Sequence, residues 1–182
     1  MAVLRERPAK LVLLGDGELR EQLRVYDAWS GKHLTPEFDI YFLGLQQNPF
    51  KYLRPAALFV FPSAWEGFPL ALCEAMICRI PVLSTDCPTG PREILAPDTH
   101  SPKSAITTSE PAAFGTLMPM LNDPIRQAQS ERVWAEAILR LIDNPAERER
   151  LGALAAVRMQ EFGSEKIVQR WIEVIEDVLA TS

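Results

Sequence analysis

Two carboxylates, Glu66 and Glu74, stand eight positions apart in the run Ser63-Ala64-Trp65-Glu66-Gly67-Phe68-Pro69-Leu70-Ala71-Leu72-Cys73-Glu74-Ala75-Met76. The apolar stretch before them, Ala57-Leu58-Phe59-Val60-Phe61, reads as a buried strand. Gly67 permits a close backbone approach, and Pro69 suits the first turn of a helix. A helix N-terminus near residues 68–70 would present free N–H groups and the positive end of the macrodipole, which suits phosphate. Helical side chains lean toward the N-terminus, so Glu74 tilts back toward the mouth that Glu66 borders. Ionised carboxylates only accept hydrogen bonds, so the pair suits a ribose diol or sugar hydroxyls and not phosphate. A second reading of the spacing stays open, with Glu66 complementing the helix dipole and Glu74 on a solvated face.

The elements that must position this corner alternate along the chain. Residues 1–9 read as the tail of a helix ending at Pro8, before Lys10-Leu11-Val12-Leu13-Leu14-Gly15, a buried strand by its unbroken apolar run. Gly15-Asp16-Gly17 then opens a helix through residues 18–23; a dinucleotide fingerprint is disfavoured because Arg20 stands where its third glycine belongs. A polar loop over 29–37 leads to a strand over 39–44, and a short helix is expected over 49–53. After the central helix come the strand Ile80-Pro81-Val82-Leu83-Ser84 and a loop over 85–90 at its carboxyl end. That is where ligands bind in open α/β sheets. Arg92 reads either as a phosphate partner or as a surface arginine. Residues 96–113, rich in Pro, Ser and Thr and without periodicity, read as a flexible excursion, and Gly115-Thr116-Leu117-Met118-Pro119 as a last edge strand. The remainder is helical. Ser130 is a candidate cap, Asn144-Pro145-Ala146-Glu147 is a capping-box variant, and Ile167, Trp171, Ile175 and Val178 form a stripe expected in the core. The order of elements argues for a doubly wound parallel sheet.

Composition narrows the class. At 182 residues, 47% apolar and 24% charged, the chain is expected to form one soluble globular domain with a substantial core. A formal charge of −5 gives no reason to expect a nucleic-acid partner. There is no apolar run of the roughly 20 residues a membrane span needs, and the start does not read as a signal peptide. A cytoplasmic setting is the default. Three cysteines and two histidines make neither a disulfide framework nor a metal site, so Cys73, Cys78 and Cys87 read as packing thiols.

The run Glu66-Gly67-Phe68-Pro69-Leu70 with Glu74-Ala75-Met76 lies between Pro62-Ser63 and Ile80-Pro81-Val82-Leu83-Ser84 and is followed by Gly90 and Glu93-Ile94. It resembles the signature of retaining glycosyltransferases of the GT-B fold. The closest pattern is that of the large group 1 family, with its Glu, seven intervening residues and Glu, which contains many bacterial polysaccharide and lipopolysaccharide sugar transferases. The resemblance implies an α/β fold with a Rossmann-like parallel sheet flanked by helices, the C-terminal half of a GT-B fold, truncated at its N-terminus. It implies a donor-binding domain over 1–182, incomplete at its start, with a flexible loop over 96–113 and C-terminal helices over 130–182. The implied ligand is a UDP- or GDP-sugar, used without a metal or other cofactor. Glu66 would hold donor-sugar hydroxyls near the reacting carbon as the catalytic residue, and Glu74 the ribose hydroxyls. The backbone around Gly67, Phe68, Pro69 and Leu70 would meet phosphate and sugar oxygens. Gly90 would approach the sugar, and Leu43 and Gly44 would lie beside the base.

The resemblance covers roughly residues 2–178 and starts part-way through the family's second domain. The expectation is therefore that an N-terminal acceptor domain is missing, together with an arginine and a lysine that neutralise the donor diphosphate. Charge compensation on the leaving group is a major term in such catalysis, so the isolated chain is expected to be a poor catalyst. Peripheral membrane contact, at the inner face, would come through the missing half. The alternative function is a non-catalytic nucleotide-sugar binding or interaction module; a sugar-nucleotide epimerase of related architecture is less favoured.

Overall fold

A computed structural model of the chain describes residues 9–22, 38–100 and 104–181. The expected helix tail ending at Pro8, the end of the helix at Leu23 and the loop over 29–37 lie outside the described residues. The chain divides into two compact units, Met1–Lys51 and Tyr52–Ser182.

In the first unit, β1 (Ala9–Leu14) and β2 (Phe38–Gly44) pair in parallel, from Lys10 opposite Asp39 to Leu13 opposite Phe42. The Gly15 amide donates to the Gly44 carbonyl at 2.9 Å and ties the two strand ends together. The Gly-x-Gly corner is closed locally: the Asp16 carboxylate accepts from the Gly17 amide at 2.9 Å and from Arg20 at 3.2 Å. Leu43 and Gly44 occupy the end of β2, where Gly44 has a left-handed φ of 67°.

Helix α1 (Phe50–Leu53) precedes the second sheet. That sheet has the order β3 (Phe59–Phe61), β4 (Val82–Thr85), β6 (Gly115–Met118), β5 (Glu110–Ala112), with β3, β4 and β6 parallel and β5 antiparallel to β6. Every residue of β4 and β6 is buried, as expected for central strands covered on both faces. The covering helices are α2 (Leu70–Ile77), α3 (Pro91–Leu95), α4 (Gln127–Ile142) and α5 (Pro145–Met159); α5 packs on α2, β4 and β6, and α3 on β6. Leu83, Met118, Trp134, Ala137, Leu141 and Leu151 form the core between them. Trp134 is 5% exposed, and its indole N–H donates to the Pro119 carbonyl at 2.8 Å, so the largest core side chain has no orphaned polar atom. No helix among the described residues is long and apolar enough to cross a membrane.

The turn that closes α2 is built unusually. The Ile80 amide bonds the Ala75 carbonyl and the Arg79 amide the Met76 carbonyl, a Schellman pattern with Arg79 rather than glycine in the left-handed position, φ 61°. The Arg79 carbonyl lies against α5 at Gly152, where a Cβ would sit 2.0 Å from that oxygen. A short turn and a helix therefore meet with no room for any side chain.

Four expectations about the later elements need correction. Gly115–Met118, read as the edge strand, is β6, buried between β4 and β5. The end of the 96–113 stretch is strand β5, paired with β6 from Glu110 opposite Leu117 to Ala112 opposite Gly115. Its proline is tolerated because β5 is an edge strand. Ser130 is no cap: α4 begins three residues earlier, and Ser130 is buried inside it with its amide bonded to the Arg126 carbonyl. The stripe expected in the core runs along α6 (Ser164–Ala180), which contributes no buried residue; Trp171 is 64% exposed, and Ile175 and Val178 are exposed with it. The periodicity is amphipathic as read, yet the described residues offer that face no cover. The Asn144 cap is as expected, its side chain accepting from the Glu147 amide at 3.1 Å with Pro145 in the first turn. Glu147 pairs instead with Arg150 at 2.7 Å.

Candidate functional site

Strand β3 ends at Phe61, and the chain turns through residues 62–69 into α2. Pro69 is the N-cap and supplies no side-chain bond. The first amides bonded inside the helix are those of Leu72 and Cys73, both to the Pro69 carbonyl, at 3.1 and 3.2 Å. The amides of Leu70 and Ala71 precede them and have no intrahelical acceptor, so they point out of the N-terminus. Phe68 and Leu70, 46% and 68% exposed, stand at this N-terminus. The helix keeps Leu72, Cys73, Ala75 and Met76 in the interior. Glu74 shares the opposite face with Leu70 and Ile77 and is half-buried.

Glu66 stands in the turn itself, half-buried, and its carboxylate accepts from the Ser63 hydroxyl at 2.6 Å. That bond fixes one carboxylate oxygen and leaves acceptor capacity for a ligand. An open cavity of about 190 Å³ lies beside Ser63, lined by Pro62, Ser63, Ala64, Met120, Leu121 and Asn122 at the carboxyl ends of β3 and β6. Gly67 is the least constrained residue of the turn. Its φ is not left-handed, and no protein atom comes within 4 Å of the place a Cβ would take. Neither backbone geometry nor packing within the protein requires a glycine there.

Gly90 is the opposite case. It has φ 92° and ψ −72°, and a Cβ there would sit 2.6 Å from the Gly67 carbonyl oxygen and 2.7 Å from the Pro69 Cδ. The loop after β4 is thus pressed onto the turn after β3. Two hydroxyls join them further: Thr85 donates to the Ser63 carbonyl and Thr89 to the Glu66 carbonyl. Ser63 stands in the motif and Thr85 and Thr89 in the loop read as facing the crevice, but the sequence assigned none of the three a role. Short-range spacing carries no signal for bonds that span 22 and 23 positions.

Arg92 is neither a surface arginine nor an available phosphate partner. It is 6% exposed, and all five guanidinium N–H groups are used. Nε and Nη2 grip the Asp86 carboxylate at 2.8 and 2.7 Å, Nη1 and Nη2 grip Glu110 at 2.8 and 2.9 Å, and Nη1 also reaches the Thr99 hydroxyl at 3.1 Å. Hydrogen bonding from Arg92 holds the Glu110 carboxyl below its usual range, and the bonds to Glu110 and Asp86 push the guanidinium further up. Behind α3, Arg158 donates to the carbonyls of Ile94 and Glu93 at 3.0 and 2.9 Å and lies over the Phe162 ring. Phe162 in turn meets Phe68 with ring centroids 5.3 Å apart, which anchors the back of the mouth to the segment after α5.

The remaining candidates behave simply. All three cysteines are free. Burial pushes the Cys73 thiol up to about 11, with the neighbouring Glu74 charge adding to it, and burial also raises Cys78 and Cys87. Such thiols are poor nucleophiles. Among the described residues no group of three or more ligating side chains is placed to hold a metal ion. Glu66, Gly67, Phe68, Pro69, Leu70, Glu74 and Gly90 belong to the second unit; Leu43 and Gly44 belong to the first.

Comparison with known proteins bears on the family and the fold. The sequence profile of the family described as "Glycosyl transferases group 1" matches residues 1–121. An uncharacterised glycosyltransferase of Methanocaldococcus jannaschii is 35% identical over 179 residues, which is 94% of this chain and 43% of that protein. The N-acetylgalactosamine-N,N'-diacetylbacillosaminyl-diphospho-undecaprenol 4-alpha-N-acetylgalactosaminyltransferase of Campylobacter jejuni is 33% identical over 70% of this chain and 34% of its own. Among solved structures, Anabaena HepE in complex with UDP superposes with a TM-score of 0.68 at 20% identity, covering 97% of this chain and 43% of that one. The chain therefore spans less than half the length of these relatives. Its parallel sheet with flanking helices is the architecture they share, that of GT-B glycosyltransferases. On the match of profile, sequence and fold together, this chain belongs to the group 1 glycosyltransferase family.

Proposed function

We propose that the second unit binds the nucleotide-diphosphate sugar from which a group 1 enzyme transfers a hexosyl group, with retention, to a polysaccharide or glycolipid acceptor. The observation that carries this is the N-terminus of α2, which has no side-chain cap and begins with exposed Leu70 and Ala71, with half-buried Glu66 four positions before Leu70 and half-buried Glu74 four after it. Outward amides and the positive end of the helix favour an anion, and the carboxylates favour hydroxyls. The unforced glycine at position 67 fits the same reading: the space it leaves belongs to a ligand, not to the fold. HepE, which shares the fold, is a protein solved with UDP.

On this reading the amides of Gly67, Phe68, Leu70 and Ala71 hold phosphate or sugar oxygens. Glu74 takes the ribose hydroxyls, and Glu66, steadied by Ser63, takes donor-sugar hydroxyls beside the reacting carbon. The sugar–phosphate bond breaks through an oxocarbenium-like state, and the leaving phosphate receives the acceptor's proton on the face it departs from, so configuration is retained. No side chain need form a covalent intermediate. Gly90 would border the sugar. Transfer itself is proposed for the whole protein, since this chain spans 43% of the length of its Methanocaldococcus relative. The setting proposed is cytoplasmic, at a membrane's inner face, where a lipid-linked acceptor such as the one in the Campylobacter relative's name would be met.

Removing Glu74 tests this. Glu74→Ala is expected to weaken UDP or GDP binding by about 1.5–3 kcal/mol, or roughly 10- to 150-fold, the worth of a hydrogen bond to a charged group. Calorimetric titration with each nucleotide reads it and shows which base is preferred. Equal affinities for the variant and the parent would remove Glu74 from the site, and no binding by either would leave the interaction-module alternative.

A further inference from the structure

We propose that Arg92 is a positioning residue for the donor site, set by a carboxylate that the excursion over 96–113 supplies. The inference rests on the reading of the α2 mouth as that site. Asp86 and Arg92 hold the two ends of the loop that carries Thr89 and Gly90, and the side chains of both are 7% exposed. The loop's front presses on the mouth through Thr85, Thr89 and Gly90, which contact Ser63, Glu66 and Gly67. Its back is gripped by the guanidinium fork, whose second carboxylate, Glu110, stands on β5.

Every donor of Arg92 is used, and the five bonds join three segments: Asp86 in the loop, Thr99 after α3, and Glu110 on the edge strand. A planar fork that bridges two carboxylates fixes direction as well as distance, which an ammonium group cannot do. The edge strand thereby sets, through Arg92, how far Gly90 bears on Gly67. A strand of three residues containing a proline has little reason of its own to be ordered, and the ion pair supplies one.

The test is hydrogen exchange by mass spectrometry on the full chain, parent against Glu110→Gln, followed by titration of both with UDP. Glu110 is 37% exposed at its side chain, so this variant keeps the fold where loss of Arg92 itself would strand two carboxylates. Amides in segments 63–69 and 86–90 are expected to exchange on the order of tenfold faster, while a segment of α4 and α5 keeps its protection. UDP affinity is expected to fall by a similar factor, roughly tenfold. Arg92→Lys should reproduce both effects and not rescue them, because lysine keeps the charge and loses the fork. Faster exchange confined to 96–112, or spread evenly over the chain, overturns the proposal, since the first uncouples the strand from the mouth and the second is mere loss of stability. Failure of the parent to bind UDP or GDP rejects the donor-site reading, while the exchange result still decides whether Glu110 sets the turn.

Discussion

Gly152→Ala is expected to destabilise the chain by about 3 kcal/mol or more, lowering Tm by about 6–12 °C for a protein of this size. The reason is geometric. The new Cβ would lie 2.0 Å from the Arg79 carbonyl oxygen and 2.8 Å from its carbon, and both are backbone atoms. A flexible side chain could swing aside, but a helix-closing turn cannot. Arg79 is itself held by the bonds from its own amide to Met76 and from Ile80 to Ala75. Relief must come from moving α5 off α2, which would open the contacts of Leu151 and Ala155, both buried on that helix. Differential scanning calorimetry or a urea midpoint reads the effect. A Tm within a degree or so of the parent would show that α5 and the Arg79 turn are not in contact.

Gly90→Ala is the second large effect, and Gly67→Ala is its control. At Gly90 an alanine meets two obstacles: φ 92° with ψ −72° lies outside the regions open to L-residues, and its Cβ would strike the Gly67 carbonyl and Pro69. Strain and overlap each cost about 1–3 kcal/mol, so a loss of about 3 kcal/mol in stability is expected, and UDP binding should become undetectable. At Gly67 neither obstacle exists. Alanine there should leave Tm within a degree or so, yet weaken UDP binding, because its methyl occupies only the ligand's space. A thermal-shift panel with and without UDP separates the two. If Gly67→Ala binds as well as the parent, the ligand does not approach that turn.

Strands β1 and β3 were legible as apolar runs, although Leu11 and Val12 are 44% and 42% exposed and β3 is only half-buried, whereas the fully buried β4 and β6 carry Ser84, Thr85 and Thr116 among their apolar residues. The corner at residues 62–74 was legible for a different reason, since glycine, proline and two carboxylates at a helix start have few joint uses. Strand β5 was not legible: Glu110-Pro111-Ala112 alternates weakly, contains a proline, and is a strand only because β6 offers an edge and Arg92 a partner. Arg92 was misread because arginine is rarely buried, and because its carboxylates lie 6 and 18 positions away. Ser130 has the right chemistry for a cap, but the chain already turns at Asp123, whose carbonyl accepts from the Arg126 amide, so α4 starts earlier. For α6, periodicity states which face is apolar and is silent on what meets it.

That last helix has a thermodynamic consequence. The heat capacity and denaturant m-value of unfolding scale with apolar surface newly wetted, and Val168, Trp171, Ile172, Ile175, Val178 and Leu179 are wetted already in the native chain. Among the described residues, melting α6 therefore wets less new apolar surface than melting α4 or α5, which carry buried residues. Calorimetric size is set by the sheet and the helices that cover it, and the curve of stability against temperature is flatter than the chain's length implies.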